Sequence, residues 1–363
     1  MNMNDRHAPA GPNRSDDMLA RFKRTKINHP TLKNAHEKII DLIDEPGGSA
    51  IFLVFGPTGV GKSTLVEGVA RSFVEAHRVE LERDPQLSPP IVIRAPAPTG
   101  TTFSWRDFLF RGVEALGEPL PERKLDIAPP PARLPAHGQF SSVDGARRMF
   151  ETAVRARRPA AIFIDESQHL TNVDRSSHLK HLDFIKSLSD ATESVFFLVG
   201  TYDLTRFRNL NGQLGRRTWD VHLPRYGPDD PAFGSVATTF AAHVSLATGI
   251  VAEELPYLYE RCCGCVGVLK QWFVRALARS VRADRPMSMD DLRENALPAQ
   301  ALLQISAEIV NGERALEETG EMMADLRANL GIAGPVSAPA RVRPISHMRV
   351  GKRSPTRDPI GAR

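Results

Sequence analysis

The chain has 363 residues, 47 of them basic and 43 acidic, for a formal net charge of +4, and a quarter of its residues are charged. That length suits two compact domains with a sizeable core, and the three cysteines, crowded into Cys262–Cys265, exclude a disulfide framework and fit a reducing compartment. No apolar run reaches the ~18–20 residues that cross a bilayer, and the polar first residues lack the apolar stretch of a signal peptide, so a cytoplasmic protein with no membrane partner is expected.

Residues 1–30 mix Arg, Lys, Asp, Asn and Pro without visible periodicity and are expected to be a mobile arm whose cluster Arg21, Lys23, Arg24 and Lys26 either touches phosphates or is simply solvated. Lys33 to Glu45 sets Ala35, Ile39, Leu42 and Ile43 at helical spacing, and Pro46-Gly47-Gly48 ends that helix. From Ile51 to Leu223, short runs of Val, Ile and Phe (51–55, 91–93, 160–164, 195–199 and a weaker 219–223) alternate with helix-length amphipathic stretches. Such runs predict strands buried on both faces, hence a parallel five-stranded sheet between helical layers. A stretch from Gly117 to Gln139 carries six prolines and reads as a long surface loop. After Pro224 only helices are predicted: 231–246, 253–263, 268–282, 289–296 and a long 299–330. The expected organisation is an arm at 1–30, a nucleotide-binding αβα sandwich at 31–225, an all-helical domain at 226–330 and a disordered tail at 331–363. That tail holds seven basic residues and one acidic, which leaves the body of the chain slightly acidic.

The strongest chemical signal is Gly56-Pro57-Thr58-Gly59-Val60-Gly61-Lys62-Ser63-Thr64, a G-x-x-x-x-G-K-[ST] loop set between a strand and a helix. Glycines let the backbone amides curl around phosphates, the helix N-terminus adds positive potential, Lys62 reaches the β/γ-phosphates and the Ser63 hydroxyl ligates Mg²⁺. ATP with Mg²⁺ is therefore the expected cofactor. The run Ala160–Ile164 delivers Asp165 and Glu166 at a strand end, the edge where open α/β sheets bind ligands. Asp165 is placed for Mg²⁺ and Glu166 for activating a water, which makes the chain an ATPase rather than a metabolite kinase. Thr201, after the strand 195–199, either meets the attacking water and γ-phosphate or caps the next helix. Arg216 and Arg217, just before the last strand, either stabilise transition-state charge across a subunit boundary or pair with surface acids.

These features together resemble an AAA+ P-loop ATPase: an αβα sandwich followed by a helical lid. Within that superfamily, Asp165-Glu166-Ser167-Gln168-His169-Leu170, Leu198-Val199-Gly200-Thr201, Ile27-Asn28-His29-Pro30, Arg94-Ala95-Pro96-Ala97-Pro98 and Gly264-Cys265-Val266-Gly267-Val268-Leu269 resemble transposition regulators of the TnsC and TniB kind, relatives of phage Mu B protein. The resemblance covers about residues 25–300. It implies ATP held between subunits of a ring or filament on double-stranded DNA, with a DDE transposase and a target-selection protein of the TniQ kind as partners. It also implies a trans-acting role for Arg216 and a sensor role for Thr201. The loop after the second strand would track the DNA backbone through Thr101, Thr102, Ser104 and Arg106, with Ser141 and Ser142 as further candidates, positioning without reading sequence. One departure is that the turn Gly264–Leu269 has no lid arginine; Lys270 is the nearest cation there. Alternatives are another DNA-transaction AAA+ ATPase, such as a helicase loader or replication initiator, and a P-loop switch in signalling or secretion. Cys262, Cys263 and Cys265 lack the paired spacing of a zinc site, and His178 and His181 are expected on a solvated helix surface. The tail arginines are expected to bind DNA non-specifically or to dock on a partner.

Overall fold

A computed structural model describes residues 14–47, 51–84, 86–117, 142–208 and 218–332. Its frame is a five-stranded parallel sheet in the order β2-β3-β4-β1-β5, built from β1 (Ile51–Phe55), β2 (Ile91–Arg94), β3 (Ile162–Asp165), β4 (Phe196–Gly200) and β5 (Thr218–His222). The register sets Phe52 beside Phe197 and Phe197 beside Phe163. The three rings stack at 5.0 and 4.7 Å, so a row of aromatic faces crosses the middle of the sheet. On that face they meet Ala35 and Ile39 of α2 (Pro30–Asp44) and Leu65, Val66 and Val69 of α3 (Lys62–Ala76). Alternation places Ile93 on the opposite face, where α5 (Trp105–Ala115) covers β2 and packs on α6 (Val143–Arg157); between α3 and β2 runs the short α4 (Arg78–Arg83). The strand between α6 and α7 (Arg175–Thr192) is β3, and α8 (Thr205–Arg208) is a single turn after β4.

The helices after β5 are α9 (Pro231–His243), α10 (Thr248–Glu253), α11 (Leu255–Cys262), α12 (Val266–Arg282), α13 (Met289–Glu294) and α14 (Ala299–Arg314). Their core gathers Phe233, Phe240, Leu258, Leu269, Trp272 and Phe273. The architecture is thus the expected parallel αβα sandwich followed by helices. Two compact units are distinguished, one ending at Ala315 and one beginning at Leu316; the latter holds α15 (Gly320–Asn329), N-capped by Thr319. Among the described residues no helix is long and apolar enough to cross a membrane.

Four expectations are corrected. Residues 14–24 are not aperiodic: they form helix α1 (Arg14–Arg24), whose Phe22 is 1% exposed and packs edge-on against Phe240 at 5.7 Å. Its short stripe of Met18, Leu19 and Phe22 is diluted by six charged residues of the same helix, and it becomes a helix face only against the lid core. The predicted helix 299–330 breaks after Arg314, and the stretch before 253, where no helix was expected, forms α10, while the helix predicted over 253–263 is α11. His178 and His181 are buried rather than solvated. His178 Nε2 lies 2.9 Å from the Thr171 carbonyl and His181 Nδ1 lies 3.1 Å from that of Leu170, so the rings satisfy the turn that follows β3. Residues 1–13, most of the proline-rich stretch, Ser141, Arg216 and Arg217, and the tail from 333 onward lie outside the described residues.

Candidate active site

The sheet fixes the site because β1, β3 and β4 are neighbours whose C-terminal ends point the same way. After Phe55 the chain turns through the glycine loop, with Gly59 and Gly61 at φ +75° and +114°, values that only glycine adopts without strain, and enters α3 at Lys62. Asp165 and Glu166 follow from β3, and Thr201 follows from β4. These ends surround a cavity of about 840 Å³ lined by Thr58, Lys62, Ser63, Thr64, Asp165, Glu166 and Thr201. Ser63 Oγ donates to Asp165 Oδ2 at 3.1 Å, although 102 positions separate them.

Lys62 Nζ donates to the carbonyls of Gly56 and Pro57 at 2.9 and 2.8 Å. Burial pulls this ammonium down to about 8, with Glu166 and Asp165 opposing the shift. Gly56 and Pro57 thus serve as anchors for Lys62. Val60 is buried in the sheet core and contributes packing. Thr201 lines the cavity, and its Oγ1 accepts from the Asp203 amide at 3.4 Å, capping the short turn at 202–204.

The helical region closes the cavity through a glycine contact. The Gly267 amide donates to the Gly59 carbonyl at 2.7 Å, and a Cβ on Gly267 would stand 2.4 Å from that oxygen. Only a residue without a side chain lets α12 approach the loop so closely. Lys270 lines the cavity, yet its Nζ donates to the backbone carbonyls of Lys23 and Thr25 at 2.9 and 2.6 Å, tying α12 to the end of α1. Beside the main cavity, a recess of about 50 Å³ is lined by Thr25, Ile27, His29, Phe240 and Val266. His29 caps α2, its Nδ1 accepting from the Leu32 amide and lying 2.8 Å from the Tyr226 hydroxyl, which donates to it; burial pulls the imidazole down to about 4, so the ring is neutral at neutral pH.

Three lining residues were given no role by the sequence. Arg275, two turns beyond Gly267 on α12, brings a guanidinium to the cavity that the Gly264–Leu269 turn lacks, and Gln271 of the same helix lines it too. A search for a lid arginine within the glycine turn misses it; helical spacing from Gly267 is the signal that finds it. Gln168 is the third.

The candidate DNA-contacting residues do not converge. Thr101, Thr102, Ser104 and Arg106 are exposed after β2, and three of them have local work. Ser104 Oγ accepts from the Asp107 amide as the N-cap of α5, Thr102 closes a turn on the Thr99 carbonyl, and Arg106 lies 4.9 Å over the Phe110 ring. Ser142 caps α6 by accepting from the Gly145 amide. Cys262, Cys263 and Cys265 are buried among helices, and burial pushes the Cys265 thiol up to about 12. Among the described residues no group of three or more His, Cys, Asp or Glu is arranged for a metal.

Residues 45–207 match the protein family described as an AAA domain. No curated protein matches the chain. Among solved structures, the fold is similar to the ORC2 protein of Aeropyrum pernix in its ADPNP–ADP complexes, at 15% identity and TM-score 0.50 over 78% of this chain and 73% of that one. It is also similar to a Walker-type ATPase of Pyrococcus abyssi, at 15% identity and TM-score 0.47 over 85% and 79% of the two chains. Domain III of the Thermotoga maritima replication initiation protein DnaA matches at 14% identity and TM-score 0.45 over 76% and 97%.

Proposed function

We propose that the AAA-type P-loop ATPase domain of this chain binds and hydrolyses ATP, and that its nucleotide cycle drives assembly on double-stranded DNA. The observation that carries the ATPase reading is the convergence of Lys62, the Ser63–Asp165 pair, Glu166 and Thr201 on one cavity closed by α12. The loop amides and Lys62 would take the β- and γ-phosphates, and Arg275 would approach from the lid. A pair of hard oxygen donors, one hydroxyl and one carboxylate, fits Mg²⁺, which keeps waters and phosphate oxygens as its other ligands. Ser63 and Asp165 would hold the ion, whose charge offsets that of the phosphates.

In the hydrolytic step the oxygen of a water attacks the γ-phosphorus in line, and its proton passes to a carboxylate oxygen of Glu166. The bond from the γ-phosphorus to the bridging oxygen breaks, and its electron pair leaves on ADP. Thr201 is placed to orient the water. Arg216 is proposed to act on the γ-phosphate of a neighbouring copy, which makes turnover depend on assembly.

The DNA reading rests on the sequence resemblance and on the exposed loop after β2. The ORC2 likeness fits an initiator or loader, while the motifs at 165–170 and 198–201 support a transposition regulator linking a TniQ-type selector to a DDE transposase. Electron microscopy with a non-hydrolysable ATP analogue and linear duplex DNA tests it: nucleotide-dependent rings or filaments on DNA are expected. ATP turnover without any DNA association leaves the signalling-switch alternative. Stimulation of turnover by a replicative helicase, or by a DDE transposase, then separates the two DNA readings.

A further inference from the structure

Gln168 sits in the tight turn that follows β3, and its side chain spans two parts of the site contributed by different strands. Its Nε2 donates to Glu166 Oε2 at 2.5 Å, and its Oε1 accepts from the Thr201 amide at 3.4 Å. The two partners agree on one orientation of the amide. Reversed, it would set its NH₂ against a backbone N–H and its oxygen against a carboxylate.

The backbone on both sides is shaped to hold this bridge. Glu166 adopts φ +58°, a left-handed conformation that a non-glycine residue keeps only where its surroundings impose it. The Ser167 hydroxyl donates to the Ile164 carbonyl at 2.6 Å and the Glu166 amide donates to Asp165 Oδ1 at 2.9 Å, which fix the turn. Across the gap, β4 ends in Gly200, where a Cβ would lie 2.6 Å from Gln168 Oε1. The amide therefore occupies room that only glycine leaves. The other Glu166 oxygen lies 3.8 Å from Arg94 Nη2, a mostly exposed and solvent-screened guanidinium, so the firm hold on the carboxylate is that of Gln168.

We infer that Gln168 is a positioning residue: it fixes the Glu166 carboxylate as proton acceptor and keeps it in register with Thr201, so that the base and the water-orienting threonine move together. This rests on the hydrolytic reading above. A glutamate free to rotate in an 840 Å³ cavity would spend little time aimed at the water, and misplacement of about 1 Å can cost roughly a hundredfold in rate.

The test compares the full chain with Gln168→Ala, Gln168→Glu and Gly200→Ala, measuring fluorescent ATP binding, kcat, KM and the pH–rate profile. Gln168→Ala and Gly200→Ala should keep ATP affinity and KM within about threefold while kcat falls roughly ten- to a hundredfold. Gln168→Glu keeps the acceptor for Thr201 but sets carboxylate against carboxylate. It should be slow at neutral pH and recover as the pH falls and one shared proton restores a donor to Glu166, so its optimum moves to lower pH. Gln168→Ala turning over as the wild type does, Gln168→Glu with the wild-type pH profile, or loss of binding alongside kcat in every variant would overturn the positioning role. A wild type that binds ATP and releases no phosphate would overturn the hydrolytic reading, and this inference with it.

Discussion

The ends of β1, β3 and β4 and the loop after β2 lie on the same edge of one sheet, and both carry polar residues that the sequence marks as functional. They differ in where those residues find their partners. At the first, Ser63 meets Asp165 and Gln168 joins Glu166 to Thr201, contacts that span 102 and 33 positions and exist only because the strand order brings three ends together. At the second, Ser104, Thr102 and Arg106 are engaged within four residues of themselves, capping a helix, closing a turn and lying on a ring. Long-range convergence of polar groups needs an explanation beyond local folding, and nucleotide chemistry supplies one. Local engagement is explained by the loop itself, and any DNA contact there uses what that engagement leaves exposed.

The contrast is sharpest in the effect of single substitutions. Lys62→Ala should weaken ATP binding by roughly a hundredfold or more, the loss expected when a buried charge partner of phosphate is removed, as read by equilibrium titration. Arg275→Ala, at the cavity's far wall, should weaken it by about tenfold, the scale of one charge-assisted hydrogen bond; an unchanged affinity would remove the lid guanidinium from the site. The pH dependence follows from Lys62. Its ammonium, pulled down to about 8 by burial, must be protonated to meet phosphate. Affinity should therefore hold below pH 8 and decline as pH rises above it, with proton uptake on binding in that upper range. Arg106→Ala should be the mildest, lowering duplex DNA affinity by about two- to fivefold and flattening its salt dependence, with DNA-free turnover unchanged. A loss on DNA as large as that of Lys62→Ala on ATP would erase the distinction between the two regions.

The sheet and the phosphate loop were legible because their signals are local in sequence: five apolar runs, a glycine pattern and an acidic pair, each read without knowing what lies opposite. Helix α1 was not, since Met18, Leu19 and Phe22 form a face only against the lid core. His178 and His181 misled for the converse reason. Their spacing shows a shared helix face, but not that two backbone carbonyls of the turn after β3 wait beneath it. Gln168 stands inside a quoted motif that assigns it no task and Arg275 in none; each enters the site because a strand end or a helix repeat aims it there. The break after Arg314 was hidden by uniform helix-forming composition through 315–319.

The most direct test is release of labelled phosphate from γ-labelled ATP by the wild type and by Glu166→Gln, with ATP affinity measured on both. The account predicts sustained turnover by the wild type and, in the variant, affinity within about threefold but turnover lower by a hundredfold or more, the scale of a lost general base. Equal turnover by the two proteins, or none by a wild type that binds ATP, would contradict it.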